Sequence, residues 1–177
     1  VITGVSGYLG SQTCLTFLQD GSFQVRGTVR DTSNEKTMAS LTKGFGEFFS
    51  HLELVEADLS DESSLLSACA GSPYIVHTAS PLHFPGDCVG PAVSGTMAVM
   101  KACTQHDVKM CVLTSSCAAA MAPAKEDQPV PPDAYNETHW SNPDRPEGLS
   151  DYPKSKTFAE KTAWDYQAAH PGSFDLV

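Results

Sequence analysis

The stretch Val1-Ile2-Thr3-Gly4-Val5-Ser6-Gly7-Tyr8-Leu9-Gly10 reads as the end of a buried strand, a glycine turn and the opening of a helix. Gly4 permits the tight turn. Gly7 lets backbone N–H groups approach an anion with no Cβ in the way, and Gly10 lets the helix pack closely on its strand. A helix N-terminus adds unpaired N–H groups and the positive end of the helix dipole, so Thr3, Gly4, Ser6, Gly7, Tyr8 and Leu9 read as a cradle for a dinucleotide pyrophosphate. Glycine collects in turns for steric reasons alone, and the triplet by itself is a weak signal. Its context strengthens it. An apolar pair precedes the glycines, and Leu9, Thr13, Leu15, Thr16, Phe17 and Leu18 suit an amphipathic helix that stops at Asp20-Gly21.

Outward from this turn, strand and helix patterns alternate. Phe23 to Val29 alternates as a second strand, Leu52 to Ala57 as a third, Tyr74 to His77 as a fourth and Met110 to Thr114 as a fifth. Between them, Ser64 to Cys69 reads as a helix behind an N-cap region at Asp58-Leu59-Ser60-Asp61, and Val89 to His106 as a long helix carrying Val93, Met97, Met100 and Cys103 at helical spacing. Such alternation predicts an α/β doubly wound parallel sheet with helices on both faces, one domain over residues 1–177. The proline-rich run from Ala122 to Asp151 has no sustained period and predicts a long surface loop on the substrate side; Leu82 to Gly90, with His83, Phe84, Pro85 and Gly86, predicts an irregular wall of the same site. Val1 is not Met and both termini fall inside apolar strand patterns, so the chain reads as a fragment lacking the part that completes the substrate pocket.

Composition narrows the function. Eleven Lys and Arg against twenty-one Asp and Glu give a net charge of -10, which disfavours DNA or RNA as a partner. The six cysteines form no CxxC pair and mostly fall in apolar patterns, which points to reduced thiols in a cytoplasmic protein, with no metal. No run of about 18 apolar residues is present, so no membrane span is expected. Asn136-Glu137-Thr138 fits a glycosylation sequon and is taken as chance.

The end of the second strand selects the cofactor. An acidic residue here would accept from a ribose 2′-OH, but Arg30 comes before Asp31. A guanidinium suits a 2′-phosphate by charge and by its forked donors, Lys36 adds a second positive charge, and NADP is the expected cofactor. Thr78, Ala79 and Ser80 follow the fourth strand as small residues where a cofactor would cross the sheet. His77, although tempting as a base, reads as a satisfied strand histidine.

Tyr152-Pro153-Lys154-Ser155-Lys156 opens the last helix, and a separation of four puts Tyr152 and Lys156 on one face, a turn apart. A free phenol titrates near ~10 and shuttles protons poorly at neutral pH; an ammonium beside it stabilises the phenolate. Tyr152 then serves as proton donor to a carbonyl oxygen, Lys156 reaches the nicotinamide ribose, and Ser116, after the fifth strand, hydrogen-bonds the same carbonyl.

Together with the GxxGxxG turn, these residues make a resemblance specific. The runs Gly27-Thr28-Val29-Arg30-Asp31, His77-Thr78-Ala79-Ser80-Pro81, Leu113-Thr114-Ser115-Ser116, Glu137-Thr138-His139-Trp140-Ser141 and Tyr152 to Glu160 are similar to those of extended short-chain dehydrogenase/reductases, in the dihydroflavonol 4-reductase and cinnamoyl-CoA reductase group. The resemblance implies a Rossmann-type fold, Ser116, Tyr152 and Lys156 as catalytic triad, Asp58 and Leu59 capping the adenine, and NADPH as hydride donor to a small-molecule carbonyl. Two departures qualify it. Ala98 stands where relatives often carry Asn, and Met121 stands five positions after Ser116 where flavonoid reductases tend to be polar, which argues for a less polar ketone or aldehyde. A nucleotide-sugar epimerase or dehydratase of the same branch, and a non-catalytic NADP-sensing regulator, are the competing expectations. Oligomeric state is not legible.

Overall fold

The computed structural model describes residues 1–81, 87–121, 134–144 and 148–177. Of the wall expected over Leu82 to Gly90, residues 82–86 lie outside the described residues, while Val89 and Gly90 are already helical; half of the proline-rich run from Ala122 to Asp151, residues 122–133 and 145–147, also lies outside them.

Six parallel strands form one sheet in the order β3-β2-β1-β4-β5-β6. They are β1 (Ile2–Thr3), β2 (Val25–Val29), β3 (Leu52–Glu56), β4 (Tyr74–His77), β5 (Met110–Leu113) and β6 (Asp175–Leu176). The connecting helices are α1 (Tyr8–Asp20), α2 (Glu35–Phe45), α3 (Glu62–Cys69), α4 (Val89–Gln105) and α5 (Asp151–Ala169). The order reverses between β1 and β4, which pair directly through Ile2 with Val76 and Thr3 with His77. Ligands of open α/β sheets bind at such a reversal, beyond the carboxyl ends of the strands.

Side chains alternating along the strands build a core on each face. Ile2, Val25 and Val29 pack with Cys14 and Leu18 of α1 and with Leu41 and Phe45 of α2. On the other face Ile75, Cys111 and Leu176 pack with Leu65 of α3, Val99 and Met100 of α4 and Ala163 of α5. Cys14, Cys69, Cys103 and Cys111 are buried within these layers, Cys88 is buried at the start of α4, Cys117 is exposed, and no disulfide links any of them.

Local chemistry sets the boundaries. Gly21, at φ +72°, ends α1 in the left-handed region, its N–H reaching the Phe17 carbonyl at 3.3 Å. Asn34 caps α2 by accepting from the Thr37 N–H, and Asp61 caps α3 by accepting from the Ser64 N–H. The cap of α3 is thus Asp61, while Asp58 accepts from Ser60 in a turn of its own. Two features differ from the periodicity reading. Phe23 precedes β2, nearly half exposed, in edge-to-face contact with Phe17 and Tyr74. The buried stripe of α1 is Gly10, Cys14 and Leu18, leaving Leu9 exposed at its first turn. A 3-10 turn over Gly46–His51, not anticipated, leads into β3. No helix among the described residues is long and apolar enough to cross a membrane.

Candidate active site

The glycine turn follows β1 at the carboxyl end of the sheet. Gly4 has φ +73°, and a Cβ there would lie 3.1 Å from the Cα and Cβ of Ala79, beyond β4. Gly10 is tighter: its Cβ would lie 2.3 Å from the Gly4 carbonyl oxygen and 2.7 Å from Thr78 Oγ1. The turn is anchored behind by β2, with the Gly4 N–H donating to Thr28 Oγ1 at 3.0 Å and the Val5 N–H to the Thr28 carbonyl at 3.1 Å. Within it, the Gly7 N–H donates to the Gly4 carbonyl at 2.9 Å. Among the described residues nothing accepts from the backbone N–H of Ser6, Tyr8 or Leu9. Those three face solvent with Gly7 at the helix N-terminus, Tyr8 being 98% exposed. A bare backbone, open amides and a positive dipole end fit a pyrophosphate.

Thr3 occupies a different place from its neighbours. It is fully buried, and its hydroxyl accepts from the Thr78 and Ala79 N–H groups, each at 3.1 Å. The same oxygen lies 2.7 Å from His77 Nδ1. With both lone pairs taken, its proton goes to Nδ1, so His77 is the neutral tautomer protonated at Nε2. Burial, with Lys156 nearby, pushes His77 down to about 4. Thr3 therefore positions the turn from behind rather than lining the cradle, and His77 is the satisfied strand histidine the sequence suggested. Thr78 Oγ1 completes the lock by donating to the Thr3 carbonyl at 2.5 Å. Ala79 and Ser80, half-buried, continue this edge.

At the ends of β2 and β3 stand Arg30, Lys36, Asp58 and Leu59. Arg30 and Lys36 are exposed, and neither is in an ion pair among the described residues. The Asp31 carboxylate is turned into its own loop, accepting from the N–H and hydroxyl of Ser33, both at 2.7 Å, which hold it below its usual range. Glu56 likewise accepts from Thr32. Arg30 and Lys36 are thus the charges outside any ion pair at this corner among the described residues. Asp58 accepts from the Ser60 hydroxyl and N–H, which hold its carboxyl down, with Arg30 adding to the effect. Leu59 packs on α4, where a Cβ on Gly95 would lie 2.4 Å from Leu59 Cδ2.

The third group lies beyond β5. Lys156, buried at 7% exposure, donates from Nζ to the Thr114 carbonyl at 2.9 Å. Burial pushes its ammonium down in pKa, and Glu160 partly offsets this. A cleft at the ends of β4 and β5 is lined by His77, Ala79, Ser80, Thr114 and Lys156, so residues far apart in sequence meet at one mouth. Tyr152, half-buried, stands one helical turn before Lys156. Ser116 opens a 3-10 turn, Cys117–Ala119, against which α5 packs; its Oγ accepts from the Ala118 N–H at 3.2 Å and keeps its own proton to donate. Ser141, from the His139-Trp140-Ser141 run, braces that turn, its N–H reaching the Ala119 carbonyl at 2.6 Å and its hydroxyl the Ala118 carbonyl at 2.8 Å. Lys161 of α5 lies 5.1 Å over the Trp140 ring. Ala98 is fully buried in the core, and Met121 is half exposed.

Sequence reasoning missed the supporting contacts. The Thr114 carbonyl carries no side-chain signal, the Thr3–His77 bond spans 74 positions, and the Ser115 hydroxyl donates to Glu160 Oε2 across 45.

A model of the NAD dependent epimerase/dehydratase family matches residues 1–175. Anthocyanidin reductase of Vitis vinifera is 35% identical, over 99% of this chain and 53% of its own length. Bifunctional dihydroflavonol 4-reductase/flavanone 4-reductase of Pyrus communis is 33% identical, over 99% of this chain and 51% of its own. Among solved structures, yeast methylglyoxal/isovaleraldehyde reductase complexed with NADPH matches with a TM-score of 0.78 at 27% identity, covering 99% of this chain and 55% of that one. The chain spans about half the length of the curated relatives it matches.

Proposed function

The chain belongs to the NAD-dependent epimerase/dehydratase family, and within it we propose that the protein is an NADPH-dependent reductase that converts a ketone or aldehyde to an alcohol. The reductase relatives support the reaction class, and the NADPH complex of the yeast relative supports the cofactor. Bound NADPH supplies the hydride that adds to the carbonyl carbon.

This chain's own residues do the rest. The open amides of Ser6, Tyr8 and Leu9 hold the pyrophosphate, Arg30 with Lys36 the 2′-phosphate, and Asp58 with Leu59 the adenine end. Ala79 and Ser80 border the cofactor where it crosses the strand ends. Tyr152 donates its phenolic proton to the carbonyl oxygen as that oxygen gains charge, Ser116 donates a hydrogen bond to the same atom, and the Lys156 ammonium stabilises the resulting phenolate. Two of the three Lys156 donors remain for the ribose, since the Thr114 carbonyl takes one.

The observation that carries the reading is Lys156. A buried ammonium is costly, and this one is held at the carboxyl end of the sheet, beside the strand reversal and one turn from a phenol. Tyr152→Phe in the full-length protein tests it, with NADPH oxidation followed over a panel of aldehydes and ketones. Turnover is expected to fall about 10²–10⁴-fold with NADPH affinity unchanged. A variant that keeps its turnover sinks the assignment, and an enzyme purified with tightly retained NAD and inert toward every carbonyl sinks the reductase reading itself.

A further inference from the structure

Two consecutive residues beyond β5 grip two residues one turn apart on α5. The Thr114 carbonyl accepts from Lys156 Nζ at 2.9 Å, and the Ser115 hydroxyl donates to Glu160 Oε2. Glu160 is held from a second side, its Oε1 accepting from Trp164 Nε1 at 3.3 Å. Two fixed points about 6 Å apart along a helix, at 1.5 Å per residue, prevent it from sliding or rolling against the strand. Ser116 follows directly on the strand side of this clamp, and Tyr152 lies one turn before it on the helix side.

The charges around Lys156 point the same way. His77, on β4, is kept neutral by its burial and by the Lys156 charge itself, and its Nδ1 lies against Thr3 Oγ1. Ala92 and Thr96 of α4 and Thr114 and Ser115 beyond β5 bring no charge to the cleft. Tyr152, one turn back on α5, is a phenol. Among the described residues that line the cleft, Glu160 is therefore the one anion, acting on the buried ammonium by charge without an ion pair.

Resting on the reductase reading above, we infer that Glu160, tethered by Ser115, is a positioning residue that fixes α5 against the end of β5 and so sets Lys156 and the gap between Tyr152 and Ser116. Lys156 is pushed down by burial and pulled up by Glu160, so loss of the carboxylate lets it deprotonate at lower pH.

The test uses the full-length protein with 13C-labelled lysine, so that Lys156 titration is read by NMR independently of turnover. Glu160→Gln keeps the shape and can still accept from Ser115; it is expected to shift the Lys156 midpoint downward and to move the alkaline limb of kcat/KM with it. Ser115→Ala keeps the charge but frees the carboxylate; it is expected to lower kcat several-fold without moving the Lys156 midpoint, and Ser115→Thr to restore it. Circular dichroism confirms that each variant is folded, and a Glu160→Gln protein that fails to fold hands the charge test to Glu160→Ala, whose Lys156 midpoint should fall in the same way. If wild-type protein reduces carbonyls while Glu160→Gln matches it in kcat and in the Lys156 midpoint, the inference is overturned and the reductase reading stands. If wild type reduces nothing, the reductase reading fails, and the NMR midpoints alone decide whether Glu160 sustains the ammonium.

Discussion

His77 shows how one hydroxyl decides a residue's chemistry. Thr3 Oγ1 has both lone pairs committed to the Thr78 and Ala79 amides, so it can only donate to the imidazole, and a buried acceptor nitrogen resists protonation. The folded state holds His77 at about 4, against ~6.5 for an unfolded histidine. Between those values the unfolded chain binds a proton that the folded chain refuses, so stability is full above the unfolded value and declines as pH falls toward the folded one. By pH 5 the loss is about 2 kcal/mol, at ~1.4 kcal/mol per unit. His77→Gln, which still accepts from Thr3, should lack this component. Urea midpoints at pH 7.5 and pH 5 should therefore differ more in wild type than in the variant, and equal differences would show that His77 titrates normally. The sequence supported a structural histidine here but not its tautomer, because the donor sits on another strand.

At the scale of elements, the helix ends were legible where a single residue type has a single job. Gly21 stops α1, and the four-residue spacing of Tyr152 and Lys156 survives intact in α5. What periodicity misjudged was which stripe of α1 is buried, because Gly10 and Cys14 contribute closeness of approach rather than hydrophobic bulk. The same logic governs α4, which crosses Leu59 at Gly95. A Cβ there would meet Leu59 Cδ2 at 2.4 Å and Leu59 Cβ at 3.0 Å, so the backbone of one element is seated on the side chain of another. Gly95→Ala is expected to cost about 1–3 kcal/mol, as overpacking does, and to raise the KM for NADPH by displacing Leu59. Adding Leu59→Ala should recover part of the stability but not the KM, a non-additivity that thermal melts and kinetics read together. If Gly95→Ala melts like wild type, α4 is not seated as described.

Across the whole molecule, the doubly wound parallel sheet followed from alternation, since a strand–helix chain with right-handed crossovers has few ways to close a parallel sheet; the order of its strands was not read. The site was legible only where it is made of side chains in short motifs. Its supports are carbonyls and pairings 40 to 75 positions apart, as with Lys156 on Thr114 and Thr78 on Thr3, and no local pattern reports them. The overall charge of -10 repels an anionic cofactor at long range, so recognition of a 2′-phosphate must be local. On the proposed reading it falls to Arg30 with Lys36, since the neighbouring Asp31 is spent on Ser33 and Glu56 on Thr32. A ligand bound along the strand ends touches elements from both cores, and its binding energy appears as stability of the whole: about 2.7 kcal/mol at a hundredfold excess over Kd. NADPH should therefore raise the melting temperature more than NADH at equal concentration. In Arg30→Ala the NADPH increment should shrink to that of NADH, while the unliganded melting temperature stays put because Arg30 is exposed and outside any ion pair among the described residues. Equal stabilisation of wild type by the two nucleotides would remove Arg30 from cofactor selection and return the corner to Asp31.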